Sequence, residues 1–528
     1  MKQILHIFLK DARRFWGEVV LLLAITFGFV SIGAYMGARP DNQQGQLLAV
    51  LASLLAMMIP VGWWLLITRV IQAERLVGDT QFWITRPYVW TSLMSAKGLF
   101  LLAFLYLPFF IAQCVLLAGA GFSPLGYVPG LLFNLLLFTG MLILPLAALA
   151  TVTSTFARMT LTLLGISVLA IALISVSAFI FATHRATVGL SSRTAIPICF
   201  AIAVVDCLAA IVLQYARRRV WVARLILVAL PLLLWGVMYC GWKYDQAQMD
   251  KVYAAVQGGA PIQLAYRPDA KNTETIGMPA SSNAMIPVNV PLEETGVAAG
   301  KAVLPDAVRM EMTAPDGSRW ESDWESGNGF KFLSGESMFK LGVSMPIEEF
   351  RKFEGKQVTV KLTVALTQTQ AGRSSTIALP RERFAVAGFG VCTPQTGWTP
   401  EPGQISGLDC ISPLNDPPLT FINTRWSDGS CTSAAGSGSG LVGETWLGEL
   451  DRAPAAVNFS PLVELHVNLS NAVIEEGEGR GRFRTLCPGT PVTFTQYDRV
   501  RQMQVSVEIQ GFTLPRVTET NGQLNVTE

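Results

Sequence analysis

The chain has 528 residues, with 40 Lys and Arg against 38 Asp and Glu, and its formal net charge is +2. This near-neutral total hides two unlike parts, because residues 1–242 carry about +10 and residues 243–528 about −8. The first part holds apolar runs of spanning length, and a spanning helix needs about 20 apolar residues. The second part is acidic without a basic stripe, which argues against a nucleic-acid-binding protein.

Residues 1–16 have the pattern of a short amphipathic helix. Ile4, Phe8, Ala12 and Phe15 fall near one helical face, and the basic side chains lie elsewhere. This pattern predicts an interfacial helix on the cytoplasmic surface of a membrane. The apolar run that follows is longer than that of a cleaved signal peptide, so we expect a retained anchor.

Seven apolar segments follow and predict a polytopic helical membrane domain over residues 17–242. They lie at about 17–37, 47–70, 98–120, 128–153, 161–182, 196–215 and 222–242. If the N-terminus is cytoplasmic, the cytoplasmic flanks carry thirteen Lys and Arg residues and the outer flanks carry three. The positive-inside rule therefore favours this orientation, and an odd number of spans puts everything after Trp242 outside.

One acidic residue interrupts the sixth apolar segment. Asp206 lies near its middle, where a charged carboxylate costs roughly 2.5 to 3.5 kcal/mol. Such a residue should face protein or water. Two interpretations are open. In the first, Asp206 is part of a substrate or gating pathway. In the second, it is protonated or forms a hydrogen bond with a neighbouring helix and has no functional role.

The polar stretch between the second and third segments is the sizeable break on the cytoplasmic side. It spans residues 72–97, and Arg75, Arg86 and Lys97 supply its positive charge. Its pattern is an acid, Gly-Asp, an aromatic residue, Thr-Arg-Pro and then Lys at the next helix. The residues concerned are Glu74, Gly78, Asp79, Trp83, Thr85, Arg86, Pro87 and Lys97. In another interpretation these side chains only anchor helix ends and make turns.

Over its first 240 residues or so, the chain resembles the membrane subunit of ABC transporters of the ABC-2 permease type. The resemblance implies that the loop carries a coupling helix, formed around Glu74, Gly78, Asp79, Trp83, Arg86 and Pro87, that docks on a cytoplasmic P-loop ATPase subunit. It also implies a homodimer or a paired permease, and ATP bound by the partner subunit.

One departure from that family matters for topology. Its members typically have six spans and a re-entrant hairpin on the outer side, whereas here the corresponding loop is short and a seventh apolar segment follows. Either the seventh segment is an added tether for the C-terminal part, or one of the seven is re-entrant and the C-terminal part is cytoplasmic. The charge count and the cysteines argue against the second alternative.

The C-terminal part has the pattern of a β domain. Residues 243–284 are mixed in character and are expected to form a membrane-proximal connector. Residues 285–528 contain runs that alternate apolar and polar residues, beginning at Val308, Gln357, Leu462 and Met503 and separated by turn signals. This spacing predicts a mainly β, sandwich-like domain.

The eight cysteines divide evenly between the two parts. Four lie in apolar segments, and the other four are Cys392, Cys410, Cys431 and Cys487. An even set in a loop-rich region favours two disulfides in one of three connectivities, which implies an oxidising, extracytoplasmic compartment. No CxxC pair supports a zinc site, so no metal is expected.

Motifs of several enzyme classes are absent from the sequence. It lacks GxxxxGK(S/T), GxSxG and HExxH, so the chain itself is expected to be neither an ATPase nor an enzyme, and to carry no cofactor. The leading hypothesis is a multi-pass permease subunit in a bacterial inner membrane, moving an unidentified substrate, with export favoured by the resemblance. The alternative is a membrane-anchored extracytoplasmic binding or assembly module whose spans are purely structural.

Overall fold

A computed structural model describes most of the chain. The described residues are 2–38, 43–74, 89–183, 195–253, 262–268, 277–279, 284–298, 300–326, 339–387, 389–395, 405–413, 420–425, 441–447, 460–468, 471–473, 482–484, 486–514, 516–520 and 523–527. Helices fill the described residues up to Tyr253, and antiparallel strands dominate those after it. The predicted fold class, a helical membrane domain followed by a β domain, is therefore confirmed.

The helical domain contains ten α-helices within the described part of the chain. They are α1 Lys2–Arg14, α2 Trp16–Ala38, α3 Gln43–Gln72, α4 Trp90–Leu101, α5 Leu107–Gly119, α6 Val128–Phe138, α7 Leu144–Val152, α8 Phe156–Thr183, α9 Ala195–Val212 and α10 Val220–Val252. Three π-helical segments interrupt or end them, at Leu102–Tyr106, Thr139–Ile143 and Leu213–Arg217.

Seven helical segments among these residues are long and apolar enough to cross a membrane. They are Trp16–Gly33, Val50–Gln72, Trp90–Gly119, Pro124–Val152, Phe156–Leu173, Ile196–Arg217 and Val220–Gly241. Large apolar side chains cover their outer surface, for example Phe27 and Met57, which are 74 % and 69 % exposed. A soluble protein rarely exposes so large an apolar surface, whereas lipid would cover it. The chain is thus a multi-pass membrane protein.

The third span begins earlier than the sequence pattern suggests. It starts at Trp90 rather than near residue 98, and it continues through α4, a π segment and α5 to Gly119. The additional turns carry Lys97, whose side chain is 5 % exposed and paired with Asp11. Because the ion pair offsets much of the cost of burying that lysine, the helix can include it.

Nineteen strands and one helix, α11 Ile347–Phe353, make up the described part of the β domain. The strands are β1 Gln263–Tyr266, β2 Gly277–Pro279, β3 Met285–Thr295, β4 Lys301–Thr313, β5 Arg319–Glu321, β6 Glu325–Ser326, β7 Phe339–Pro346, β8 Gln357–Ala378, β9 Phe384–Val386, β10 Gly390–Gln395, β11 Gly407–Pro413, β12 Thr420–Arg425, β13 Leu441–Leu447, β14 Leu462–Asn468, β15 Asn471–Val473, β16 Arg482–Arg484, β17 Pro491–Thr513, β18 Arg516–Thr520 and β19 Gln523–Thr527.

The long antiparallel pair β8 and β17 forms the centre of the largest described sheet. Its strand order is β13-β12-β17-β8-β4-β5, with β6 also paired to β4. A three-stranded sheet, β1-β3-β7, contributes Val288, Val290 and Val343 to a core that it shares with Met310 and Leu362 of the large sheet. Alternating residues of both sheets thus point into one apolar layer, as in a sandwich.

A second, smaller core lies under the sheet β14-β11-β10-β9. Phe389, Leu408 and Phe494 are buried there, together with a disulfide between Cys392 and Cys410. The two cysteines lie directly opposite each other on β10 and β11. The disulfide therefore joins neighbouring strands of one sheet.

Most of the described residues of the segment 243–284 belong to regular elements. Helix α10 continues without a break to Val252, and β1 and β2 pair with β3 and β19. With 33 residues, α10 is about 49 Å long at 1.5 Å per residue, so it extends well beyond its apolar part.

Candidate functional site

Helix α1 packs along the start of the third span with its apolar face. Ile7 is 2 % exposed, and the Phe8 ring stacks on the Phe104 ring at a centroid distance of 5.8 Å. The edge of the Phe100 ring meets Phe8 at 6.5 Å. This aromatic contact explains why a helix of only 13 residues has a fixed position, since so short a helix is marginal by itself.

A buried ion pair joins α1 to α4. The Nζ atom of Lys97 donates to Oδ2 of Asp11 at 2.7 Å, and the two side chains are 5 % and 0 % exposed. The second carboxylate oxygen, Oδ1, is buried without a hydrogen-bond partner among the described residues. A buried pair of this kind contributes little net stability, but loss of one partner is costly.

A second ion pair joins α1 to the end of the second span. Lys10 donates to Oε1 of Glu74 at 2.5 Å, and both side chains are partly buried. Burial would raise the pKa of Glu74, but the hydrogen bond from Lys10 and the charges of Lys97, Lys10 and Arg14 outweigh it and hold that pKa below its ordinary value. Glu74 is therefore a carboxylate at neutral pH.

The two ion pairs bracket the predicted coupling loop. Glu74 is the last described residue before the loop, and Lys97 lies in the helix that follows it. Both bind successive residues of α1, Lys10 and Asp11. We call this arrangement of Lys10, Asp11, Glu74 and Lys97 the α1 clamp. Gly78, Asp79, Trp83, Arg86 and Pro87 of the coupling prediction lie outside the described residues.

Further contacts hold the neighbouring helix ends beside the α1 clamp. Nε2 of Gln72 donates to the hydroxyl of Thr153 at 3.0 Å and to its carbonyl at 3.3 Å. The Arg224 guanidinium donates to the carbonyl of Val152 at 3.0 Å. Arg69 also forms an ion pair with Glu18. The spans that meet at the α1 end of the membrane domain are thus cross-linked by polar contacts.

Asp11, the acid of the buried pair, was not among the residues predicted from the sequence. Asp11 lies four residues after Ile7 and three after Phe8, on the apolar face of α1. A lone charge on the apolar face of an amphipathic helix indicates a buried partner, because an unpaired buried charge is costly. That signal was present, but the sequence alone does not identify Lys97, 86 positions away, as the partner.

A polar contact between two π-helical segments links the third span to the fourth. The hydroxyls of Tyr106 and Thr139 are 2.8 Å apart, and Thr139 donates its own proton to the carbonyl of Leu135. Tyr106 is therefore the donor. Single-turn π segments frequently mark functional positions in helices.

Asp206 lies in α9 and is partly exposed. Its Oδ2 atom is buried without a hydrogen-bond partner among the described residues. The structure therefore brings no described donor to this atom, and neither hypothesis for Asp206 gains a partner residue. Gln113 of α5 is fully buried, and its amide atoms likewise find no partner in the described part of the chain.

The four predicted disulfide cysteines separate into two groups. Cys392 and Cys410 form a disulfide, and Cys487 is disulfide-bonded as well. Cys431 lies outside the described residues. The four cysteines of the apolar segments, Cys114, Cys199, Cys207 and Cys240, are free. Among the described residues, no three His, Cys, Asp or Glu side chains converge where they could hold a metal ion.

Comparison with protein-family models, curated proteins and solved structures finds no match for this chain.

Proposed function

We propose that this protein is the membrane subunit of an ABC-2-like transporter, moving an unidentified substrate with ATP hydrolysed by a separate cytoplasmic subunit. The observation that carries the proposal is the α1 clamp, which ties Glu74, just after α3, and Lys97 of α4 to the single helix α1, on either side of the predicted coupling segment. A loop that must transmit motion from a soluble partner needs fixed ends, because slack at its ends would absorb the motion. The α1 clamp provides such ends.

The third span is the route along which motion would pass. A displacement of the loop acts on Lys97 and through it on α4, which continues through the Leu102–Tyr106 π segment into α5. Tyr106 passes the displacement to Thr139 of the fourth span. Two discrete helix arrangements at these π segments would supply the two states that alternating access requires.

In this proposal the α1 end is cytoplasmic and the β domain is extracytoplasmic, in a bacterial inner membrane. The charge distribution and the Cys392–Cys410 disulfide support this orientation. Single cysteines at Arg158 and Arg381, introduced after replacement of the four free cysteines, test it with a membrane-impermeant maleimide on intact spheroplasts. We expect labelling at 381 alone. Labelling at 158 alone would overturn the orientation.

Photo-crosslinking in the native host tests the proposed docking. A photoreactive amino acid in place of Trp83 is expected to capture a P-loop ATPase, whereas the same group at Gly126, on the turn after α5, should not. Capture of the same protein from both positions, or no ATPase from position 83 with an active crosslinker, would contradict the proposal.

The alternative function is an anchored extracytoplasmic binding or assembly module. Its support is the β domain itself, which has two apolar cores of its own and an unbroken helical connection to the membrane. Under this alternative, deletion of residues 78–87 would leave the biological activity of the protein intact. Under the transporter proposal the same deletion abolishes transport.

A further inference from the structure

Two contacts between the β domain and the membrane domain are found among the described residues. The first is the end of α10, where Tyr253 is 2 % exposed and packs with Met249, Ala307, Trp324 and Ala365. This contact buries Tyr253, the residue that follows α10, against the β domain. It makes α10 and the large sheet one continuous unit.

Hydrogen bonds reinforce this first contact. The Tyr253 hydroxyl donates to Oδ2 of Asp306 at 2.7 Å, and the Thr367 hydroxyl donates to the same oxygen. Nε2 of Gln502 donates to the Tyr253 hydroxyl at 3.4 Å. Asp306 occupies an irregularity in β4 between Pro305 and Ala307, which interrupts the pairing with β8. The network joins α10 to three strands of the large sheet, namely β4, β8 and β17.

The second contact lies at the other end of the third span from the α1 clamp. Nη2 of Arg383, just before β9, donates to the carbonyl of Ala120 at 2.8 Å. Ala120 is the residue that follows α5 and caps it. The carbonyls at a helix C-terminus carry partial negative charge, so a guanidinium is well placed there. Partial burial lowers the pKa of Arg383, which nonetheless stays cationic at neutral pH.

Beside this hydrogen bond the packing between the two domains leaves a small gap. A cleft remains between the turn region of the third and fourth spans and the β domain. Its walls include Leu117, Tyr127, Leu131 and Asn134 on the membrane side, and Pro413 and Pro461 on the other. Most residues of its walls are buried, for example Leu117 at 1 % and Leu131 at 3 % exposed, whereas Arg383 is partly exposed. The Arg383 hydrogen bond is thus more accessible to water than the hydrogen bonds around Tyr253, which is 2 % exposed.

We infer that the β domain is hinged to α10 and latched to the end of α5 through Arg383. The contact of Tyr253 with the large sheet, called the hinge, keeps the β domain aligned with α10. The hydrogen bond from Arg383 to Ala120, called the latch, holds the β domain over the turn between the third and fourth spans. Release of Arg383 frees the domain to move away from that turn without unfolding. The inference does not depend on the transporter proposal.

The position of the latch gives it a connection to the α1 clamp. The third span carries Lys97 near one end and Ala120 just past the other. Movement of this span relative to α10 would therefore strain the hydrogen bond from Arg383 to Ala120, while the contact around Tyr253 stays intact. The cleft would open as Arg383 leaves the α5 end.

Distance measurements between spin labels on the full chain in lipid nanodiscs test the inference. One label pair, at Gly126 and Arg381, spans the latch, and a reference pair, at Lys251 and Gln370, spans the hinge. All four positions are exposed, and the four free cysteines are first replaced by alanine. In the parent, both distance distributions should be narrow.

In Arg383→Ala we expect longer 126–381 distances, with the population of the open form rising about tenfold, because a hydrogen bond from a charged donor is lost. The 251–370 distances should not change. Arg383→Lys, which keeps the cation, should restore much of the narrow distribution. Unchanged 126–381 distances in Arg383→Ala, or equal broadening of both pairs, would overturn the inference.

Discussion

Replacement of Lys97 by methionine would leave the carboxylate of Asp11 buried without its cation. Both side chains are at most 5 % exposed, so solvent cannot replace the lost partner. Removal of one member of a buried pair typically costs about 3–5 kcal/mol. At about 1.4 kcal/mol per factor of ten, the docking equilibrium of α1 should weaken by roughly two to four orders of magnitude.

Hydrogen–deuterium exchange of the α1 amides in nanodiscs measures this equilibrium, because undocked α1 is too short to remain helical. We expect protection of residues 5–13 to fall about a hundredfold or more in Lys97→Met. The matched control is Lys10→Ala, whose side chain is 39 % exposed and whose pair with Glu74 contributes at most about 1 kcal/mol.

The double variant Asp11→Asn/Lys97→Met completes the test. It removes both charges, so it should recover most of the protection that Lys97→Met loses. If Lys97→Met lowered protection no more than Lys10→Ala does, the pair would not hold α1 in place. The same conclusion would follow if the double variant were no better than the single one.

Three other predictions concern the rest of the molecule. Burial raises the pKa of Glu325 to about 7, so this group stabilises the folded state most below pH 4.5 and loses that contribution as the pH rises through 7. Amide protection around Glu325 should therefore fall over that pH range in the parent, and the fall should disappear in Glu325→Gln. In Gly140→Ala, the new methyl group would lie 2.3 Å from the Phe200 ring, which should cost about 1–3 kcal/mol in a thermal melt, and an unchanged melting temperature would refute the close packing. Finally, non-reducing peptide mapping should find Cys431 joined to Cys487, and a free thiol at either would contradict two disulfides.

The apolar spans could be predicted from sequence because a spanning helix must be apolar over its whole length. Their ends could not, since distant residues determine them. The third span gains its first turns because Asp11 pairs with Lys97. Helix α10, which forms the seventh span, continues past Trp242 to Val252, and the next residue, Tyr253, is buried against strands of the β domain.

The pairing of the strands could not be predicted from the sequence pattern either, because it too depends on residues far apart in the chain. Alternation at Val308, Gln357, Leu462 and Met503 correctly predicted strands, observed as β4, β8, β14 and β17. It did not predict that β8 pairs with β17 along almost their whole length, because more than 110 residues separate them. Alternation reports which face of a strand is buried, but not which strand lies beside it.

The coupling segment remains a prediction from the sequence pattern, and that pattern assigned no role in it to helix α1. Residues 1–16 were predicted to be an interfacial helix on the strength of apolar spacing alone. The structure adds that Lys10 and Asp11 contact both flanks of the loop. Side-chain pairs between distant segments arise from packing, and no local pattern encodes them.

The most direct test of the central claim is affinity purification of the tagged protein from its native host in mild detergent, with mass spectrometry of the proteins that accompany it. The parent is compared with Arg86→Glu, which alters the proposed docking loop, and with Arg158→Glu, which alters an exposed arginine elsewhere at the α1 end. We expect a P-loop ATPase to accompany the parent and Arg158→Glu but not Arg86→Glu. Envelope proteins without any ATPase, or an ATPase retained equally by all three, would contradict it.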